Sequence, residues 1–179
     1  MMRIRGLEIS WALTAALLVV GGCQPSAQRA GFVRPESRTI EIAEKAGMPP
    51  EDYKWVLARE DEIAASGTLS AANFKLAVEK LQTTTSTELR KELLSLLNGL
   101  AGTEHRKAAA DAVRPFLDSK DGTVDEFALI AMIKLAPAEG VAVAEQWMKT
   151  RTGNAQKVAE KWSQIGKKKL NEAPKASKS

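Results

Sequence analysis

Laid against itself with an offset of 35 residues, the sequence keeps its apolar positions in register across two predicted helices. Val78 falls on Val113, Leu81 on Phe116, Leu89 on Val124, Leu93 on Ala128, Leu96 on Ala131, Leu97 on Met132 and Leu100 on Leu135. A repeat of this length is one supersecondary unit that cannot bury its apolar side alone, so such units must stack. A second offset puts Ala109 on Ala144, Ala112 on Trp147 and Val113 on Met148, then fades where Ala131 and Met132 meet Gly166 and Lys167. Fading is expected of a terminal unit, which must show water a polar outer face.

Apolar residues recur at helical spacing, and no segment alternates as a strand would. Tyr53, Val56, Leu57, Ile63 and Ala64 share one face, and Phe74, Ala77, Val78 and Leu81 share another. Leu89, Leu93, Leu96, Leu97 and Leu100 make a third. Boundaries are marked by Pro49-Pro50, by Gly67, by the capping boxes Thr85 to Glu88 and Thr123 to Glu126, and by Gly102, Pro137 and Gly153. The pattern predicts an all-α domain over 38–170 with about eight helices, the first over 38–46. Within 123–136, Val124, Phe127, Ala128, Leu129, Ile130, Ala131, Met132, Ile133 and Leu135 leave almost no polar face. Such a helix is expected to be buried on several sides, at the centre of the core. Its charges stand where the macrodipole prefers them, with Asp125 and Glu126 in the first turn and Lys134 in the last.

Pro115-Phe116-Leu117-Asp118 followed by Val124, Ala128, Ala131, Met132 and Leu135 resembles a HEAT-type repeat. Leu89-Arg90, Leu93, Leu96, Leu97 and Leu100 repeat its second helix; Arg90 fits the family pattern, whereas Asp125 departs from it. The resemblance covers about half the chain and implies a short right-handed stack of antiparallel helix pairs. The period is below the roughly 40–47 residues usual for HEAT and armadillo units. Tetratricopeptide-like pairs and an irregular helical bundle therefore stay open.

The first residues carry an address. Arg3 and Arg5 form a basic head, with Glu8 an unusual acid within it, and Trp11 to Val20 supply a mainly apolar stretch. That is a signal-peptide layout. A membrane span needs about 20 apolar residues, and this stretch is roughly half that before Gly21 and Gly22 interrupt it. Val20-Gly21-Gly22-Cys23 resembles the lipobox of bacterial lipoproteins, and Cys23 is the only cysteine. The resemblance implies cleavage after residue 22, acylation of Cys23 and membrane anchoring through its lipid. Gln24 is not the aspartate associated in that family with inner-membrane retention, so the outer membrane is the expected destination in a cell that has one. A chain whose one thiol is acylated has no disulfide to support it outside the cytoplasm, and its stability must come from packing.

The whole chain is 44% hydrophobic and 27% charged, ordinary for a soluble globular domain. Residues 23–37, with Pro25, Gly31 and Pro35, read as a flexible tether, and 171–179 as a disordered basic tail. Positive charge concentrates at the end, where Lys167, Lys168, Lys169, Lys175 and Lys178 face only Glu172.

Chemistry is sparse. His105 is the only histidine and cannot pair with another histidine or a free thiol to hold zinc; its place in the first turn of an alanine-rich helix predicts an exposed or capping side chain. No phosphate loop, nucleophile elbow or His-Glu-x-x-His occurs. Asp125-Glu126, like Glu60-Asp61-Glu62, reads as solvated helix surface, because neighbours on a helix point about 100° apart. Trp147 and Trp162 sit on apolar stripes and are expected in the core. Trp55 lies off the Tyr53, Val56 and Leu57 face, and with Arg90 and Lys91 it is a candidate contact residue on an exposed helix surface. No catalytic residue, cofactor, metal or nucleic-acid partner is expected. The leading expectation is a non-catalytic binding or scaffold lipoprotein whose partner is a protein or an envelope polymer. The runner-up is contact between Lys167, Lys168 and Lys169 and an anionic lipid or wall polymer.

Overall fold

The computed structural model describes residues 36–172, and every regular element there is helical. Eight α-helices lie among the described residues: α1 Glu36–Lys45, α2 Pro50–Ser66, α3 Ala71–Thr83, α4 Thr87–Asn98, α5 Arg106–Val113, α6 Gly122–Leu135, α7 Pro137–Thr150 and α8 Gly153–Glu172. A 3₁₀ turn, Arg114–Asp118, joins α5 to α6. The all-α, eight-helix expectation holds. The expected signal peptide, Cys23 and the expected tether through Pro35 lie outside the described residues, as do Lys175 and Lys178. Helix α8 continues through Glu172, so the first two positions assigned to the tail are helical.

The even-numbered helices form one row, with α2 on α4, α4 on α6 and α6 on α8. Each odd-numbered helix packs on the even helix after it in the chain. Cross-row bonds show that the even helices run parallel. At one edge, here termed the N-edge, their N-termini meet: Ser86 Oγ donates to the Gly47 carbonyl at 3.4 Å, Thr87 Oγ1 to Asp121 Oδ2 at 2.9 Å, and Asn154 Nδ2 to Glu126 Oε1 at 2.9 Å. At the other, the C-edge, their C-termini meet: the His105 ring bonds the Leu69 carbonyl at 2.9 Å and Arg106 Nε donates to the Leu135 carbonyl at 2.6 Å.

The 35-residue offset is visible in the backbone. Helices α3 and α5 begin 35 residues apart, at Ala71 and Arg106, and the caps of α4 and α6 are Ser86 and Asp121, again 35 apart. Each cap is approached in the same way, its N–H donating at 3.2 Å to a hydroxyl two residues earlier, Thr84 in one unit and Ser119 in the next. One difference is local. Helix α3 runs unbroken for 13 residues, whereas α5 stops at Val113 and tightens into the 3₁₀ turn. Pro115 is the cause, since it has no N–H to continue the ladder.

The core keeps to the register. Leu89, Leu93, Leu96, Leu97 and Leu100 are buried, and so are Val124, Ala128, Ala131, Met132 and Leu135 at the matching positions. A fully buried leucine contributes about 2 kcal/mol by area, so this shared seam carries much of the fold. Trp147 is buried, and Trp162 is half-buried against the core.

Beyond the register, α6, α7 and α8 pack three ways. Only Ala136 separates α6 from α7, so α7 folds back at once over α6. Gly140 permits this: a Cβ there would stand 2.6 Å from the Ile133 nitrogen and 2.8 Å from its Cα. Gly166 does the same for α8, where a Cβ would meet Val141 Cγ2 at 2.5 Å.

Several expectations are corrected. Helix α6 is buried on several sides as expected, against α4, α5, α7 and α8, but Phe127 departs from that apolar set: it is 38% exposed and with Thr123, Ile130 and Lys134 forms the outward stripe at helical spacing. Ala64 is exposed rather than on the core face. The caps are Ser86 and Asp121 rather than Thr85 and Thr123, because the Ser86 hydroxyl reaches the Leu89 N–H and the Asp121 carboxylate reaches that of Thr123.

Candidate binding surface

The residues expected at exposed contacts are mostly engaged by their neighbours. Trp55 on α2 is half-buried, with the Arg59 guanidinium and the Lys80 ammonium each 5.5 Å from its ring centroid. Arg90 donates to the Thr84 carbonyl and lies 5.6 Å from the Phe116 ring, and its Nε is buried without a hydrogen-bond partner. Lys91 pairs with Glu88 at 2.6 Å, stands 5.8 Å from the Phe127 ring and is 16% exposed. Long cationic stems lay themselves along apolar rings while keeping a polar partner at the tip. All three are therefore partly covered packing residues, and Trp55 is not brought together with the other two.

Two further expectations fail for the same reason, a partner distant in sequence. Asp125 is buried at 1% exposure and paired with Arg151, whose guanidinium lies 3.5 Å from the Trp147 ring centroid and also reaches the Leu117 carbonyl at 3.4 Å. Its Oδ1 has no hydrogen-bond partner among the described residues. Helix α7 is thereby fastened to the first turn of α6. His105 is neither exposed nor a side-chain cap: its ring stacks on Phe74 at 4.5 Å and 8°, and Nε2 bonds the Leu69 carbonyl. Its chemistry is used in holding the α2–α3 connection against the start of α5.

At the C-edge the surface opens into two adjoining depressions of about 550 and 640 Å³ that share Arg106, Ala136 and Glu139. Lys107 lines the first, and Lys134, Lys169 and Leu170 line the second. Two of the three acids of the first are neutralised locally, since Arg114 binds Glu139 at 2.6 and 3.0 Å and Asp111 at 2.8 Å, while Glu104 is exposed and stands 3.8 Å from the His105 ring. The hydrogen bond from that guanidinium holds the Glu139 carboxyl below the usual range, against a smaller opposing effect of burial and with a still smaller help from its charge. Arg106, Lys107, Lys134 and Lys169 have no carboxylate partner among the described residues. At the N-edge Lys80 pairs with Asp52, Lys91 with Glu88 and Arg151 with Asp125, while Lys120 there also has no carboxylate partner among the described residues.

Of the three lysines singled out in the sequence, only Lys169 lines these depressions. Lys167 pairs with Glu145 at 2.8 Å, and Lys168 stands 3.7 Å from Glu172. Arg106 and Lys107 escaped notice in the sequence because an Arg-Lys pair opening an alanine-rich helix is unremarkable until the end of α8 is folded beside it. Among the described residues no group of three His, Cys, Asp or Glu is placed to hold a metal ion, and no helix is long and apolar enough to cross a membrane. No family model matches the chain, and no curated protein or solved structure matches it.

Proposed function

We propose that the chain is a lipid-anchored protein of the bacterial envelope, acting as a non-catalytic binding or scaffold module built from HEAT-like helix pairs. Three features support this reading. The lipobox-like Val20-Gly21-Gly22-Cys23 supplies the anchor. The parallel row α2–α4–α6–α8 supplies an extended body of repeated units, a form that commonly presents a long surface to another macromolecule. The side chains with the most chemical potential, His105 and Asp125, are spent on packing.

The observation that carries the proposal is the 35-residue register, seen in both the apolar seam and the caps, because it commits the regular positions to stacking. Crosslinking in the native envelope, with identification of the captured species, tests it. A defined protein or polymer adduct, retained when His105 is replaced by Gln, is expected. Loss of the cellular phenotype on His105→Gln with an unchanged helical spectrum would favour chemistry at that residue instead. A second reading, contact with an anionic surface, is favoured by the four C-edge cations that lack a carboxylate partner, and its partner can be specified further.

A further inference from the structure

We infer that the C-edge is a membrane-facing surface that recognises anionic lipid headgroups through Arg106, Lys107, Lys134 and Lys169, with Leu170 entering the interface beside them. The inference rests on the lipid-anchor reading of Cys23 and adds the orientation of the domain to it.

Part of the charge at this edge has no internal purpose. Lys134 and Lys169 fall in the last turns of α6 and α8, where cations favour the helix. Arg106 and Lys107 do the reverse: they occupy the first turn of α5, which contains no acid, where the macrodipole disfavours positive charge. Arg106 gains the Leu135 carbonyl in return, but Lys107 is exposed and gains nothing within the described residues. An anionic partner gives that arrangement a use.

The even-numbered helices end on this side. Helix α1 packs on α2 and ends at Lys45, two residues before Gly47, which the Ser86 bond places at the N-edge; its start at Glu36 lies a helix length, on the order of 15 Å, from that end. Helix α8 ends at the C-edge as well, beside Gly102. Helix α1 and the basic depression are separated along the row by about three helix spacings, on the order of 30 Å. Cys23 and Glu36 are 13 positions apart, a reach of at most about 45 Å. A lipid on Cys23 therefore allows the whole C-edge to touch the surface that holds it.

An apolar side chain completes the edge. Leu170 is 42% exposed, the highest among the exposed large apolar side chains of the described residues, and it lines the same depression as Lys169. A leucine beside lysines matches the boundary between headgroups and acyl chains. Each cation near an anionic leaflet raises affinity roughly fivefold, an effect that fades with salt within a Debye length of about 10 Å. A membrane is favoured over a soluble polymer because the exposed leucine beside the cations has an acyl boundary to enter there.

The test uses the full chain as cells process it, with single thiols introduced by Gly102→Cys at the C-edge and Thr85→Cys at the N-edge. A Cβ at Gly102 meets nothing within 4 Å, and Thr85 is exposed. Each thiol carries a fluorophore, and quenching by nitroxide-headgroup lipid is read in vesicles of phosphatidylglycerol with phosphatidylcholine and of phosphatidylcholine alone. Retention on the neutral vesicles reads the anchor. Quenching at position 102 but not 85, only with phosphatidylglycerol, reads the surface. It should vanish in high salt and in the triple variant Lys107→Gln, Lys134→Gln, Lys169→Gln, whose folding is checked by its helical spectrum. Equal quenching at both positions, or quenching indifferent to lipid charge, overturns the inference. So does charge-independent quenching together with retention on an immobilised anionic wall polymer, which assigns the edge to polymer. If the wild-type chain takes up fluorophore, Cys23 is a free thiol and the anchor reading fails. The two labels are then read in a Cys23→Ser background, where charge-dependent flotation with phosphatidylglycerol, lost on the order of a hundredfold in the triple variant, still supports the surface and its absence refutes it.

Discussion

The Thr87 hydroxyl donates to Asp121 Oδ2 at 2.9 Å, so the first turn of α4 holds the residue that caps α6. The other carboxylate oxygen accepts the Thr123 N–H at 3.1 Å and its hydroxyl at 2.7 Å. One aspartate therefore closes its own helix and fastens it to the preceding unit. Asp121→Ala removes both functions and is expected to cost about 2 kcal/mol, against about 1 kcal/mol for Thr87→Val. Because they share one bond, the double variant should cost measurably less than the two single losses combined in urea unfolding. Strict additivity would mean that the bridge contributes nothing.

The Asp125–Arg151 pair gives a sharper asymmetry. Asp125 is 1% exposed and Arg151 is 26% exposed, so removing the arginine strands a buried carboxylate whose other oxygen already lacks a partner. Arg151→Met should cost about 3–5 kcal/mol. Adding Asp125→Leu should recover a substantial part, since a buried pair replaced by apolar residues is often neutral. Thermal unfolding of the single and double variants checks this; a double variant less stable than Arg151→Met contradicts it.

Much of this fold was legible in the sequence. The leucines at 89, 93, 96, 97 and 100 announce a buried helix face by spacing alone, and the 35-residue offset placed the matching buried positions of the second unit, though its cap was read two residues late. What the sequence hid were pairings that only the folded chain creates. Arg151 lies 26 positions from Asp125, so nothing local marked that acid as buried. Phe127 looked like core because composition does not state which side of α6 lacks a neighbour. Arg90 and Lys91 looked exposed because charge does not reveal that Phe116 and Phe127 would lie beneath them. The depression at the C-edge draws on α5, the α6–α7 corner and the end of α8, and no single stretch of sequence contains it.

Close approach at Gly140 is expected to be intolerant of any side chain. An added Cβ meets the backbone of Ile133 at 2.6 and 2.8 Å, and backbone cannot swing aside. Gly140→Ala should cost about 3 kcal/mol by prising α7 from α6, despite the better helix propensity of alanine. Urea unfolding measures it, and an unchanged midpoint would show that α7 does not pack so closely.

Acid should weaken the fold. Hydrogen bonds from Thr123 and then Thr87 hold the Asp121 carboxyl below its usual range, and the Ser70 backbone N–H does the same for Glu62. Arg114 depresses Glu139, and Lys167 depresses Glu145. A carboxyl with a lowered folded pKa contributes stability that is present above its ordinary value and lost as pH falls through the folded value. Glu92 runs the other way: burial, then the charge of Glu88, raises its pKa, so its contribution is present in acid and lost as pH rises through that raised value. With four lowered against one raised, the unfolding midpoint should fall as pH drops below the ordinary carboxylate range, and Glu92→Gln should raise the midpoint at neutral pH. A midpoint that rises on acidification would contradict the assignment of these bonds.

The anchor is the claim on which location, orientation and partner all depend, and the mass of the mature N-terminal peptide tests it most directly. The expected result is a chain that begins at Cys23 and carries acyl groups there, with Cys23→Ser neither cleaved at that point nor labelled by a fatty-acid analogue. A chain that begins at Met1, or one cut at residue 22 with an unmodified cysteine, would contradict it.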